Sequence, residues 1–338
     1  MTNNKSNQRK PQLEDIAEAL GISKSTVSRA ISGKGRIRAE TREKVFACIK
    51  EMNYRPNMIA KSLSERRTYN IGVVVPMDQN EMEAPFFQTC LNGIAKECAV
   101  HDYDAVLIGT EKDNLSQLQR VTQNRKVDGV IVTRPASDGS IEELLDSSDM
   151  PFVVVGRSVH SNSIIIDSDH VNGCKALTSY LLLANPPEKL GLILGNMEHT
   201  VNKSRYAGFM SAFSGAEQHI DERLLFTGVD SDLKFSKAVA LLLKEKPSCI
   251  ICGDDVICMK LLALLNEKGI AIPSQMRVAS FYDSVYLDSC SPPVTSLYFD
   301  AAKLGSASAD RLIDLLTDTE AEDTVSLGFE LLIRGSTL

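Results

Sequence analysis

Apolar positions recur at helical spacing through the first fifty residues, and from about Ile71 they give way to short β-branched runs separated by helical stretches. Leu13, Ile16, Ala17 and Leu20 form one stripe of a short helix that stops at Gly21. Ser23 then stands as the cap of a second helix, whose Val27, Ala30 and Ile31 point inward until Gly33 closes it. A third helix is predicted from about Glu40 to Met52, with Val45, Cys48, Ile49 and Met52 on one face. Three short helices, two of them joined by a tight turn at Gly21, make a helix-turn-helix.

The rest of the chain alternates. Strand-like runs fall at 71–76, 105–109, 129–133, 152–155, 190–195, 249–253 and 277–281, with helical stretches near 84–101, 114–126, 171–184, 203–218, 233–245 and 256–268. Such alternation predicts parallel sheets covered on both faces. The stretch exceeds what one core of this kind usually holds, so two lobes with a cleft between them are expected. The expected architecture is an all-α head followed by an α/β two-lobed body.

Composition sharpens this division. Residues 1 to 70 carry fifteen Lys or Arg against seven Asp or Glu, a balance of +8, while the remainder stands at −15. A basic head on an acidic body suits a head that meets a polyanion and a body that avoids it. No segment is apolar enough for a membrane span and the first ten residues lack the apolar core of a secretory signal, so a cytoplasmic protein is expected. The eight cysteines lie scattered in apolar segments, which fits a reducing compartment.

The second helix has a mechanical meaning on DNA. Lying in the major groove, it would bring the exposed Lys24, Ser25 and Arg29 to base edges. Arg29 is four residues from Ser25 and shares its face, and its planar fork matches O6 and N7 of guanine. Ser23, Thr26, Lys34, Arg36 and Arg38 are placed to hold phosphates, which set orientation without reading sequence.

In the body, ligands of open parallel sheets sit beyond the carboxyl ends of strands. Phe86 and Phe87, Arg157, Arg205, Asp254 with Asp255, and Tyr282 with Asp283 follow the strand runs there. Carboxylates and an arginine fork can hold sugar hydroxyls, and an aromatic ring can cover the apolar face of a pyranose. Each also has a structural reading, as core, cap or ion pair. Enzyme chemistry has little support: no nucleophile elbow, phosphate loop or dinucleotide fingerprint occurs. Cys249 and Cys252, with Cys258 nearby, have thiol-pair spacing, but on a strand their side chains face opposite sides and no further ligands complete a metal site. Surface placement is expected for each of the five histidines, and no metal or cofactor is expected. A sugar receptor without a regulatory role, or a sugar-modifying enzyme, remains the alternative, though it leaves the head without a purpose.

The residues carry a resemblance. LEDIAEALGISKSTVSRAIS over 13–32, TREKV over 41–45 and NYRPN over 53–57 are similar to the head of the lactose repressor (LacI/GalR) family. SRYAGF over 204–209, CGDD over 252–255, SFYDS over 280–284 and PVTSLYFD over 293–300 resemble its effector-binding body. Gln12 and Arg38 depart from the small hydroxyl caps usual there. The resemblance implies a head at 1–56 and a hinge and linker at 57–70. It implies a periplasmic-binding-protein-like body at 71–338, lobe 1 being about 71–168 and 300–327 and lobe 2 about 169–299 and 328–338. It implies that Asn57 holds phosphate, that Leu63 wedges into the minor groove beside Ala60 and Lys61, and that Arg205, Asp283 and Asp254 hold the effector. The partners implied are double-stranded operator DNA, a small sugar and a second copy of the chain, with no membrane. APFF over 84–87, FVVVGR over 152–157 and IDSD over 166–169 look most like regulators of maltose and related glucoside genes. Gly156 replaces an aspartate common in relatives, and the chain has no tryptophan to stack on a sugar.

Overall fold

Gly21 ends the first helix as the pattern requires, at φ 63°, a left-handed conformation that glycine enters without steric cost. The helices are α1 (Leu13–Leu20), α2 (Lys24–Ser32) and α3 (Ala39–Glu51). This computed structural model describes all residues except 1–10, 33–35, 55–61, 63–64, 78–84, 112–113, 161–162, 215–219 and 320–323. The chain divides into two units, Met1–Arg67 and Thr68–Leu338.

The first unit is held by Ile16 and Ala17 of α1, Val27 and Ala30 of α2, Val45 and Cys48 of α3, and Tyr54, all buried against one another. Ser23 Oγ accepts from the Thr26 amide at 3.1 Å and caps α2. Gln12 does not leave α1 uncapped, because its own amide donates to the Asp15 carboxylate at 2.6 Å, one half of a capping box. Arg38 supplies no side-chain cap to α3, and Glu40 in the first turn offsets the helix dipole instead.

The second unit contains two sheets. The first comprises β1 (Asn70–Pro76), β2 (Asp104–Thr110), β3 (Gly129–Val132), β4 (Phe152–Val155), β5 (Ile164–Ser168) and β11 (Thr324–Leu327), in the order β11-β5-β4-β3-β1-β2, all parallel. The second comprises β6 (Leu190–Ile193), β7 (Leu225–Phe226), β8 (Cys249–Cys252), β9 (Arg277–Ser280), β10 (Thr295–Tyr298) and β12 (Glu330–Leu332), in the order β12-β10-β9-β8-β6-β7. Here β12 runs antiparallel to β10, so the expectation of parallel sheets holds except at this edge. The sequence runs had not separated β5, β7, β10, β11 or β12, which are short and only partly apolar.

Alternate strand residues serve opposite faces. On the first sheet Val73, Ile131 and Val153 join α4 (Pro85–Val100) and α12 (Ala301–Leu316), while Val74, Val132 and Val154 join α5 (Ser116–Gln123) and α6 (Ser140–Ser147). Gly93 of α4 and Gly305 of α12 let these two helices touch backbone to backbone, since a side chain at either would collide with the opposite main chain. On the second sheet, Cys249 and Cys252 enter different cores, as strand alternation demands. The first is the face of α7 (His170–Ala184) and α8 (Thr200–Phe213), the second that of α9 (Asp232–Lys244) and α10 (Asp255–Glu267). All eight cysteines are free. The chain passes between sheets at Ser168–Asp169, at Phe299–Asp300 and at Gly328–Phe329; Asp169 caps α7 and Asp300 caps α12. Among the described residues no helix is long and apolar enough to cross a membrane.

Candidate functional site

The head presents α2 with its apolar side inward and Lys24, Ser25 and Arg29 exposed. Ser23, Ser25 and Thr26 form a knot of hydroxyls at the start of this helix, Ser23 Oγ lying 2.7 Å from Ser25 Oγ and 2.8 Å from Thr26 Oγ1. The amides of that first turn, with the positive end of the helix dipole, make a place where a phosphate is welcome. Lys24 Nζ donates to the Glu14 carboxylate on α1. Arg36 and Arg38 are exposed ahead of α3. Lys34, Asn57, Ala60, Lys61 and Leu63 lie outside the described residues.

In the body, a cavity of about 750 Å³ opens between the carboxyl ends of the two sheets, a size suited to a small molecule. Phe86, Phe87, Arg157, Arg205 and Asp254 line it. Asp283 does not. Its carboxylate accepts from Arg334 Nη1 at 2.6 Å, from Arg334 Nη2 at 3.1 Å and from Ser296 Oγ at 2.6 Å, an ion pair that ties the end of β9 to the final segment. Asp283, expected to hold the effector, therefore lies off this lining, with its carboxylate engaged by the fold.

Arg205 is the centre of the cavity's electrostatics. It projects from α8 with only 7% of its surface exposed; Nη1 donates to Asn202 Oδ1 at 3.1 Å, while the buried Nε has no partner among the described residues. Asp254 accepts from the Ile257 amide at 2.8 Å and caps α10. The next residue, Asp255, is the more telling carboxylate, 3% exposed with Oδ2 unpartnered among the described residues. Burial pushes its carboxyl up; the neighbouring Ser284 hydroxyl opposes the rise, Asp254 adds to it and Arg205 opposes it more weakly. A buried donor and a buried acceptor left open are costly unless a bound molecule satisfies them.

Aromatic groups complete the wall. Phe87 is buried, with the Arg134 guanidinium 5.0 Å above its ring. Phe86 meets Tyr282 edge to face at 6.2 Å, and Tyr282 lies parallel to Phe299 at 6.5 Å. Burial drives the Tyr282 phenol up, so it stays a hydrogen-bond donor at neutral pH. His170, expected on the surface, instead lines the cavity, its ring 4.4 Å from Phe299 and Nε2 3.8 Å from Asp167 Oδ1. Burial, then Arg205 and Arg157, push its pKa down to about 3, so the imidazole is neutral. Asp167 is itself raised by burial, with Arg157 Nε at 3.9 Å opposing.

Asp255 had a legible signal, since a cap at Asp254 turns its neighbour into the first helical turn. His170 had none: it reaches the cavity because the chain crosses between sheets immediately before it. The assembled groups offer donors, acceptors and flat apolar faces, which is what a neutral polyhydroxylated molecule requires.

Comparison with known proteins agrees with both halves. Residues 12–57 match the family described as bacterial regulatory proteins, lacI family, and residues 183–337 match the periplasmic binding protein-like domain. The HTH-type transcriptional regulator MalR of Staphylococcus xylosus is 29% identical over 309 residues, covering 90% of this chain and 91% of its own. The HTH-type transcriptional repressor PurR of Haemophilus influenzae is 26% identical over 333 residues, covering 96% and 98%. The solved complex of the transcriptional regulator CelR with cellobiose is similar at a TM-score of 0.73 and 25% identity, over 96% of this chain and 99% of that one.

Proposed function

Because the chain belongs to the LacI family of bacterial regulatory proteins, we propose that it is a sequence-specific transcriptional repressor whose hold on operator DNA is set by a small sugar bound in the body. The observation that carries the reading is the outward trio Lys24, Ser25 and Arg29 on a helix whose opposite face is buried. Arg29 reads guanine; Ser23, Thr26, Arg36 and, beyond the described residues, Lys34 and Asn57 hold phosphates; within the 57–70 hinge and linker, the hinge helix that carries Ala60, Lys61 and Leu63 orders in the minor groove. Phe86, Phe87, Arg157, Arg205 and Asp254 remain the proposed effector contacts, to which Asp255, His170 and Tyr282 are added. The similarity to MalR, and to a regulator solved with cellobiose, supports maltose or a related glucoside as the effector.

The protein acts as a homodimer. In support, Val256 and Met259 on α10 and Val285 and Tyr286 on α11 (Val285–Asp288) are exposed apolar side chains, and Cys290 bridges Met259 to the Tyr286 carbonyl. Two heads then face a roughly palindromic site, and a change in lobe angle alters the spacing of two hinges. Operator and effector affinities are thereby coupled, typically by 1 to 3 kcal/mol in systems of this kind. The reading places the protein in the cytoplasm and assigns it no catalytic activity.

Two measurements test it. Selection from a pool of random duplexes should enrich one sequence, with affinity falling steeply as salt rises; a receptor or an enzyme gives neither. A thermal-shift screen of mono- and disaccharides should find a sugar that raises the melting point and changes operator affinity. A sugar that binds tightly yet leaves operator affinity untouched refutes the coupling.

A further inference from the structure

Glu14 has no evident place on a surface that meets a polyanion. It is the second residue of α1, and its carboxylate accepts from Lys24 Nζ, the first side chain of the reading helix. The two side chains are 46% and 58% exposed, so the pair is not built into the core. The packing of α1 on α2 rests on Ile16, Ala17, Val27 and Ala30 instead. An exposed ion pair of this kind adds little to stability. Near DNA it carries a penalty, because a carboxylate among phosphates repels them and cancels one favourable lysine charge. A carboxylate in the first turn of α1 also offsets the helix dipole, but that role asks for no partner on the reading helix.

The chemistry of a base edge does. In the major groove a guanine–cytosine pair shows the acceptors N7 and O6 of guanine, followed by the 4-amino donor of cytosine. An ammonium ion-paired with a carboxylate presents the complementary order, a donor beside an acceptor. An adenine–thymine pair shows an acceptor, a donor and an acceptor, so a carboxylate on the adenine amino group is flanked by oxygen and nitrogen lone pairs that repel it. We infer that Glu14 and Lys24 act as one reading unit that selects a guanine–cytosine pair, the ammonium on guanine O6 and N7 and the carboxylate on the cytosine 4-amino group. Glu14 is thus a specificity-determining residue placed outside the reading helix. This inference rests on the operator-binding reading and adds to it a base pair and a second helix.

The test uses the full-length chain and a pool of random duplexes, with Glu14→Ala, Lys24→Ala and the double variant selected in parallel. Limited proteolysis of the head in the full-length chain, compared with the native protein, serves as a folding control, and Glu14→Gln, which keeps the side-chain shape without the charge, is measured alongside. The native chain should fix one guanine–cytosine pair, and exchanging that pair in the selected duplex should weaken binding about tenfold. Each single variant should lose that discrimination while keeping the guanine preference assigned to Arg29. The double variant should be no less selective at that pair than either single one, the mark of two residues acting together. If Glu14→Ala and Glu14→Gln bind every duplex more tightly by one factor and enrich the same sequence as the native chain, Glu14 is only a tether and the inference falls. If the native chain itself enriches no sequence, the operator-binding reading falls and takes this one with it.

Discussion

The head and the cleft handle charge in opposite ways. Among the described residues of the head seven buried side chains form the core, none of them charged, and Lys24, Arg29, Arg36 and Arg38 all stand in solvent. In the cleft Arg205 and Asp255 are more than nine-tenths buried, and each keeps an atom without a hydrogen-bond partner among the described residues. A surface that must find and leave a polyanion works through solvated charge, which is long-ranged but screened. A cavity that must recognise a neutral molecule works through desolvated groups, which are short-ranged, barely screened and expensive to leave open. Raising salt should therefore separate the two regions, weakening operator binding steeply while leaving sugar affinity nearly level.

Substitutions sharpen the contrast, the largest effect being structural. Asp283→Ala takes away the doubly bonded one of Arg334's two carboxylate partners, with Asp288 left at 3.2 Å, and the acceptor of Ser296 as well; it should destabilise the body by about 3 kcal/mol in urea unfolding, with sugar affinity close to native at low temperature. A selective loss of sugar binding at native stability would restore Asp283 to the cleft wall. Arg205→Ala comes next. It removes the open donor at the centre of the cavity and should weaken the sugar about a hundredfold by calorimetry, leaving a repressor that holds its operator but no longer responds. Arg29→Ala should cost about 1 to 3 kcal/mol on the operator and relax the preference at one base pair, with sugar affinity unchanged. An Arg29→Ala protein that responds poorly to sugar would mean the two regions are not separable in this way.

The same contrast explains what could be read from the chain alone. In the head, function lies on the face opposite the apolar stripe, so a period of 3.6 residues that buries Val27 and Ala30 also exposes Lys24, Ser25 and Arg29. The cleft gathers residues from Pro76 on β1 to Leu304 on α12, more than two hundred positions apart in the chain, and strand-end position narrows the candidates without saying which way each side chain turns. Asp283 sits at a strand end yet turns to Arg334, a partner that becomes adjacent only once β12 has folded beside β10. His170 carries no motif, and its burial follows from a chain crossing whose consequences depend on Phe299, more than a hundred residues later. The Glu14–Lys24 pair was equally hidden, since it joins two helices across a turn and neither period contains it.

The smallest effect concerns His170. In the unfolded chain a histidine takes up a proton near pH 6.5, whereas in the folded body this imidazole stays neutral until pH falls to about 3. Between those values the unfolded state binds more protons, so stability falls as the solution is acidified and rises again with pH. From pH 7 to pH 6 the loss assigned to this residue is somewhat under about 1 kcal/mol, or roughly 1 to 3 °C in the melting point of a body this size. The comparison to make is native protein against His170→Gln over that one unit of pH. The four other histidines are common to both and cancel, and residues 1 to 67 contain none, so the head cannot contribute. The native protein should lose more stability than the variant. Equal losses would mean that His170 is open to water and takes up its proton in the folded body as readily as in the unfolded chain, so that the cleft holds a charge where a neutral imidazole has been assigned. The sign alone decides it: a histidinium stabilised by Asp167 would make the native protein gain on the variant as pH falls.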